Sequence, residues 1–276
     1  MPEVSFKYPN KRVASLEIPE TASSAPSTYL VGVKKGGSTL MAKVMRDLQP
    51  FADRPLFEYP SVAFKDGLPW FRTVDDIDGS LRRNGYIYGV FRWLPENDLF
   101  DLGTMDEETS NRKARFVSLF RDPRDILTSL YFSDAKSHAI PVSGPLRAQM
   151  LKNREDLEQI GLDDYVLQKA PSYLRHYYRT LQVETMPDTT VLRYEDIIYD
   201  KKLLVSTVAK GMGCDLPAGE RDRIATKHDQ IPDAENQDRH IRQVHPVNFR
   251  KKLKPETIEK LTDTFAVILN KLNYDI

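Results

Sequence analysis

Tyr29-Leu-Val-Gly-Val-Lys-Lys-Gly-Gly-Ser-Thr-Leu-Met41 reads as an apolar strand, a glycine-rich turn carrying two lysines, and a hydroxyl pair opening an amphipathic helix. Such a turn aims backbone N–H groups and a helix N-terminus at one point, which suits a phosphate. A nucleotide P-loop, G-x-x-x-x-G-K-[ST], carries its lysine after the last glycine. Gly32 and Gly37 keep that glycine spacing, but Ser38 stands in the lysine's place and Lys35 precedes the glycines. A lysine there reaches an anion from the strand side, which argues against an ordinary ATPase or GTPase.

Downstream of the turn, Leu40, Met41, Val44, Met45 and Leu48 share one helical face, and Pro50 marks its end. Tyr86–Phe91, Arg115–Phe120 and Thr189–Arg193 read as further strands. Helices are expected over Asp163–Tyr178, Lys201–Lys210, Glu220–Lys227 and Pro255–Leu272. Alternating strands and helices predict an α/β fold, a P-loop-like parallel sheet flanked by helices on both faces, in a single domain over 1–276. Residues 1–27 form an N-terminal extension. In it Val13–Ile18 reads as an edge strand, and the small-residue link Thr21–Ser27 leads to the first main strand. Residues 215–250 are polar and weakly periodic, as in a surface excursion or lid.

With 276 residues the chain can bury a full core. Lys+Arg and Asp+Glu both number 40, so nothing draws the whole molecule to nucleic acid or an anionic membrane, and any anion site must be local. The one cysteine, Cys214, cannot form an internal disulfide, and no apolar run approaches the ~18 residues of a membrane span. The start Met1-Pro-Glu-Val-Ser-Phe-Lys-Tyr8 lacks the basic and apolar regions of a signal peptide. The expectation is a cytoplasmic protein.

Two strand-to-helix junctions carry anion-binding residues. The first supplies Lys35, Gly36, Gly37, Ser38 and Thr39. The second is Leu119-Phe-Arg-Asp-Pro-Arg-Asp-Ile-Leu-Thr-Ser-Leu-Tyr131, with Arg121 at the strand end and Ser129 about two turns into the helix. Asp122 fits an N-cap, Pro123 the first helical position, and Asp125 the first turn. Both junctions fall on the carboxyl-end rim of a parallel sheet, so a ligand with two separate phosphates satisfies both.

On these residues the chain resembles the sulfotransferases that use 3′-phosphoadenosine-5′-phosphosulfate (PAPS) and release PAP. Their 5′-phosphosulfate loop, P-K-S-G-T-T-W or K-G-G-T, is similar to Lys34-Lys35-Gly36-Gly37-Ser38-Thr39-Leu40, with Lys35 on the family lysine. Their 3′-phosphate segment has an Arg followed eight residues later by a Ser, as Arg121 and Ser129 do. Leu192-Arg-Tyr-Glu-Asp196 resembles the strand-end Tyr-Glu-Asp, which implies that Tyr194 lies by the adenine. Arg242-Gln-Val-His-Pro-Val-Asn-Phe-Arg-Lys-Lys-Leu-Lys-Pro-Glu256 is similar to the C-terminal R-K-G-x-x-G-D-W-K that closes over the cofactor, with Arg242 as a 3′-phosphate contact. There Gln243, Val244 and Val247 replace Lys, Gly and Gly.

The resemblance implies sulfuryl transfer to a hydroxyl or amine of a small-molecule acceptor, with a carbohydrate acceptor as the alternative. Fixed cations and N–H donors at the bridging oxygen and 5′-phosphate serve such a reaction. No metal is expected, since no His/Cys/Asp cluster has ligand spacing. A hydroxyl acceptor needs a base. Cytosolic members place a histidine before the 3′-phosphate strand, but Gly89-Val-Phe-Arg-Trp-Leu-Pro-Glu-Asn-Asp98 has none. Carbohydrate members use a glutamate just over twenty residues after the loop lysine, and Glu58 lies 23 after Lys35. Glu58 is the first choice and His138 the second, while His176 suits packing on an aromatic helix face. Two other classes share parts of the pattern: a P-loop small-molecule kinase, which would want lysine at position 38, and a non-catalytic nucleotide-binding module.

Overall fold

A computed structural model describes residues 3–7, 13–58, 76–77, 84–92, 114–137, 145–186, 188–231 and 244–276. In chain order its elements begin with β1 (Glu3–Lys7), β2 (Val13–Glu17), β3 (Thr28–Gly32), α1 (Ser38–Leu48) and β4 (Leu56–Phe57). Then come β5 (Asp76–Ile77), β6 (Ile87–Phe91), β7 (Arg115–Phe120), α2 (Pro123–Phe132), α3 (Pro145–Ile160) and α4 (Leu162–Gln182). The last are β8 (Thr189–Arg193), α5 (Tyr194–Ile197), α6 (Lys201–Met212), α7 (Glu220–His228), α8 (Phe249–Lys252) and α9 (Pro255–Lys271). The chain gathers into two compact units, Met1–Phe120 with Arg179–Asp229, and Arg121–Tyr178 with Gln230–Ile276.

The first unit holds a parallel sheet of order β4-β6-β3-β7-β8. The fold is α/β, as the alternation predicts. β3 and β6 are buried along their whole length, the pattern of parallel strands covered by helices. Tyr29 on β3 stacks on Tyr88 of β6 at 5.0 Å and on Phe116 of β7 at 5.3 Å, ring centroid to centroid. These residues are register partners, so three aromatic rings pin the central strands. The Met41, Val44, Met45 and Leu48 side chains of α1 are fully buried, as the helical stripe requires. The helix stops at Leu48, and Pro50 falls in a short 3₁₀ turn, Gln49–Phe51. The buried Arg54 guanidinium donates to the Pro26 carbonyl and, at 2.5 Å, to the Met212 carbonyl, tying the entry of β3 to the end of α6.

The edge strand expected at Val13–Ile18 exists as β2, at the edge of a sheet of its own rather than of the parallel one. It pairs antiparallel with β1, Glu3↔Glu17 through Lys7↔Val13, and β5 adds to β1 in a separate sheet, β2-β1-β5. Pairing with the strand just before it in sequence is the local solution. Within 215–250, residues 220–228 form α7, packed on α6 and held to α1 by Asp47, which accepts from Lys227 at 2.7 Å and bonds His228 at 2.8 Å.

In the second unit α2 starts as its sequence predicts, with the Asp122 side chain accepting from the Arg124 N–H at 2.9 Å and Pro123 in the first turn. Arg124 also grips Asp122 through its guanidinium, donates to Thr262 Oγ1 at 3.0 Å and the Asp275 carbonyl at 2.6 Å, and lies 4.4 Å over the Phe249 ring. It thereby joins α2, α8 and α9. His176 is buried edge-on to Tyr173. Among the described residues no helix is long and apolar enough to cross a membrane.

Candidate active site

The loop between β3 and α1 is shaped by two left-handed residues. Lys35 has φ 71° and Gly37 φ 95°, and the Gly36 N–H closes the turn on the Val33 carbonyl at 2.8 Å. Gly37 is the N-cap of α1, where it makes no side-chain cap, and the first turn carries no acid. The positive dipole end of α1 thus has neither a side-chain cap from its N-cap residue nor a first-turn acid against it, an arrangement suited to an anion. Ser38 is buried; Lys34, Lys35, Thr39 and Leu40 are half-buried around it. Glycine at 37 is required twice over. Besides its positive φ, a Cβ there would come within 2.7 Å of Cδ2 of Tyr194. Tyr194, the first residue after β8, therefore packs its ring directly on the loop and is buried. Lys34 to Leu40 and Tyr194 are brought together.

Glu58, just after β4, meets α1 through Arg46, with Nε to Oε2 and Nη2 to Oε1 both at 2.7 Å. The fork occupies one lone pair on each carboxylate oxygen and leaves the second on each. This hydrogen bond, first of all, raises the Arg46 guanidinium above its ordinary pKa. Arg92, directly after β6, lies 3.5 Å from the Thr39 hydroxyl. The sequence reading missed Arg46 and Arg92. The available signal for Arg92 was a charged residue at the carboxyl end of a buried parallel strand; Arg46 looks like any polar residue off the apolar stripe.

The second unit carries the other cluster. Arg121, one residue past β7, is buried, its Nη2 3.3 Å from Asp125 Oδ2, and its carbonyl accepts from the Tyr177 hydroxyl. Ser129 lies on α2 and is partly exposed. Asp125, read only as a first-turn acid, does more. Its buried carboxylate accepts the N–H of Val247 at 2.7 Å and of Phe249 at 3.0 Å. The segment resembling the family's closing stretch is thus fastened to the helix that carries Ser129. Burial pushes the neighbouring Asp122 carboxyl above its usual range, against the opposing pull of Arg124. Val247, where the family pattern has glycine, sits at φ 63°. Arg242 and His138 lie outside the described residues. Among those residues no three His, Cys, Asp or Glu gather as metal ligands.

Comparison of the sequence with curated proteins finds no match. The fold is similar to that of mouse sulfotransferase SULT7A1 complexed with PAP, at 12% identity and TM-score 0.56, over 91% of this chain and 86% of that chain. It is also similar to retinol dehydratase in complex with androsterone and inactive cofactor PAP, at 14% identity and TM-score 0.50, over 91% of this chain and 82% of that chain. At such identities the likeness is one of fold. The sulfotransferase domain model, in contrast, matches the sequence itself across residues 25–271, from the entry of β3 through α9 and so through both clusters, and the chain belongs to the sulfotransferase family.

Proposed function

We propose that this enzyme moves a sulfuryl group from PAPS to a hydroxyl or amine of a small-molecule acceptor. The observation that carries the reading is the uncapped N-terminus of α1 behind two left-handed loop residues, Lys35 and Gly37. When bound, PAPS supplies a sulfuryl group already activated on its 5′-phosphate. Lys35, the amides of Gly36 to Thr39 and the hydroxyls of Ser38 and Thr39 hold that phosphate and oppose the charge growing on it as the sulfuryl leaves. Lys34 and Leu40 flank the loop.

Arg121, Ser129 and Arg242 hold the 3′-phosphate, and Tyr194, fixed on Gly37, borders the adenine. Glu58 takes the acceptor's proton through a lone pair that Arg46 leaves available, with His138 as the second choice. The single cysteine supports a reducing, cytoplasmic setting, and burial, first of all, pushes its thiol up to about 11, so it is no nucleophile.

The test is incubation with PAPS and a panel of hydroxylated and amine metabolites, reading sulfated product by mass. A product that needs Lys35 supports the proposal. PAP binding without turnover on any acceptor would instead show a non-catalytic nucleotide-binding protein.

A further inference from the structure

Arg92 is a half-buried guanidinium with five donors and, among the described residues, little to donate to. Its hydrogen bond to Thr39 Oγ1 is 3.5 Å long, at the limit of such a contact. Among the described residues no carboxylate lies within ion-pairing distance of it. The acid whose charge it feels, Glu58, is already held by both donors of Arg46 at 2.7 Å. Among the described residues Arg46, Arg92 and Glu58 thus carry one positive charge more than negative. Burial, and then the Arg46 guanidinium, disfavour the charge on Arg92 and lower its pKa. A cation kept in such a place gains from an anion that arrives with the ligand.

Position identifies the anion. Arg92 follows the last residue of β6, on the rim where ligands of parallel sheets bind. On one side it reaches a hydroxyl of the phosphate-binding loop, and on the other it senses the Arg46–Glu58 pair. The loop hydroxyl belongs to the donor side of the reaction and Glu58 to the acceptor side. The group that passes between them is the one being transferred.

We propose that the Arg92 guanidinium is a ligand of the sulfuryl oxygens of PAPS. This rests on the PAPS reading above. Lys35 then serves the 5′-phosphate oxygen, which keeps the electron pair of the broken S–O bond. Arg92 holds the sulfuryl oxygens while the new bond to the acceptor oxygen or nitrogen forms, and Glu58 receives the acceptor's proton. The two cations act on opposite sides of the bond that breaks.

PAP and PAPS differ by this sulfuryl group, so paired titrations isolate it. Wild type, Arg92→Met and Arg92→Lys are titrated calorimetrically with each nucleotide, without acceptor. PAP affinity is expected within about twofold of wild type in both variants, which also shows that they fold. PAPS affinity is expected to fall roughly tenfold in Arg92→Met, the scale of one lost charge-assisted hydrogen bond, and less in Arg92→Lys. With acceptor present, kcat falls and the acceptor KM is unchanged. Equal loss for both nucleotides, no loss for either, or a raised acceptor KM at unchanged kcat overturns the assignment. Wild-type protein that binds neither nucleotide overturns the PAPS reading itself, a failure visible before any variant is compared.

Discussion

Val247 offers a test in which the usual ranking of two residues reverses. Its φ of 63° lies in the left-handed region, while its N–H donates to Asp125 at 2.7 Å, a bond that any substitution but proline keeps. Alanine and glycine at 247 both remove the isopropyl group, which is 44% exposed, so they lose nearly the same packing. They differ in the Cβ. Holding an L-residue in the left-handed region costs roughly 1–2 kcal/mol, and glycine escapes it. Glycine gives back roughly 0.5–1 kcal/mol through the greater freedom of its unfolded chain. The balance, between about 0 and 1.5 kcal/mol, favours Val247→Gly over Val247→Ala. At an ordinary helix or strand position alanine leads by a similar amount. Urea denaturation reads the difference as a higher midpoint for the glycine variant at equal slope. An alanine variant more stable than the glycine one would refute the claim that this backbone is strained, and with it the idea that valine occupies a glycine's place in the closing segment.

Three further outcomes are expected. Lys35→Ala lowers turnover more than PAP affinity, because its charge matters most as the leaving phosphate gains negative charge; an unchanged kcat with a raised PAPS KM makes it a binding residue only. Arg121→Ala weakens nucleotides carrying the 3′-phosphate by roughly 1.5–3 kcal/mol, the scale of a lost charged hydrogen bond, and spares adenosine 5′-phosphosulfate. Equal loss for both nucleotides contradicts the 3′ assignment. Glu58→Gln keeps fold and PAP affinity and drops turnover by roughly two to four orders of magnitude, as befits a lost base. Near-normal turnover there turns attention to His138 or to an amine acceptor that arrives deprotonated.

What could be read from the chain was local. The passage from β3 through the glycine turn into α1 combines apolar periodicity with turn chemistry inside thirteen consecutive residues, and the start of α2 is written in Asp122 and Pro123. The backbone partners of Asp125 lie 122 and 124 positions away, so no window of sequence could join them. β4 and β5 are two residues each, and pairing rather than composition makes them strands. β2 was legible as a strand, yet its neighbour was not, because alternation fixes a face and leaves the pairing partner open. Arg46 and Arg92 carry charges of the kind that usually end in solvent. Only the geometry distinguishes a clamp on Glu58 from a guanidinium that reaches, among the described residues, a hydroxyl of the glycine-rich loop.

The Asp125 carboxylate answers to three donors at once: the Arg121 guanidinium and the N–H groups of Val247 and Phe249. Detaching the closing segment takes away the two backbone donors and leaves Arg121, among the described residues, as the donor to a buried carboxylate. The guanidinium is then drawn more tightly to its own helix and has less to offer a phosphate. With Arg121 in its proposed role, departure of the segment and departure of the nucleotide each make the other easier. By reciprocity, a bound 3′-phosphate holds the segment in place. Such coupling makes PAP release a cooperative event, so a variant that loosens Asp125 speeds product escape while slowing capture of the next PAPS.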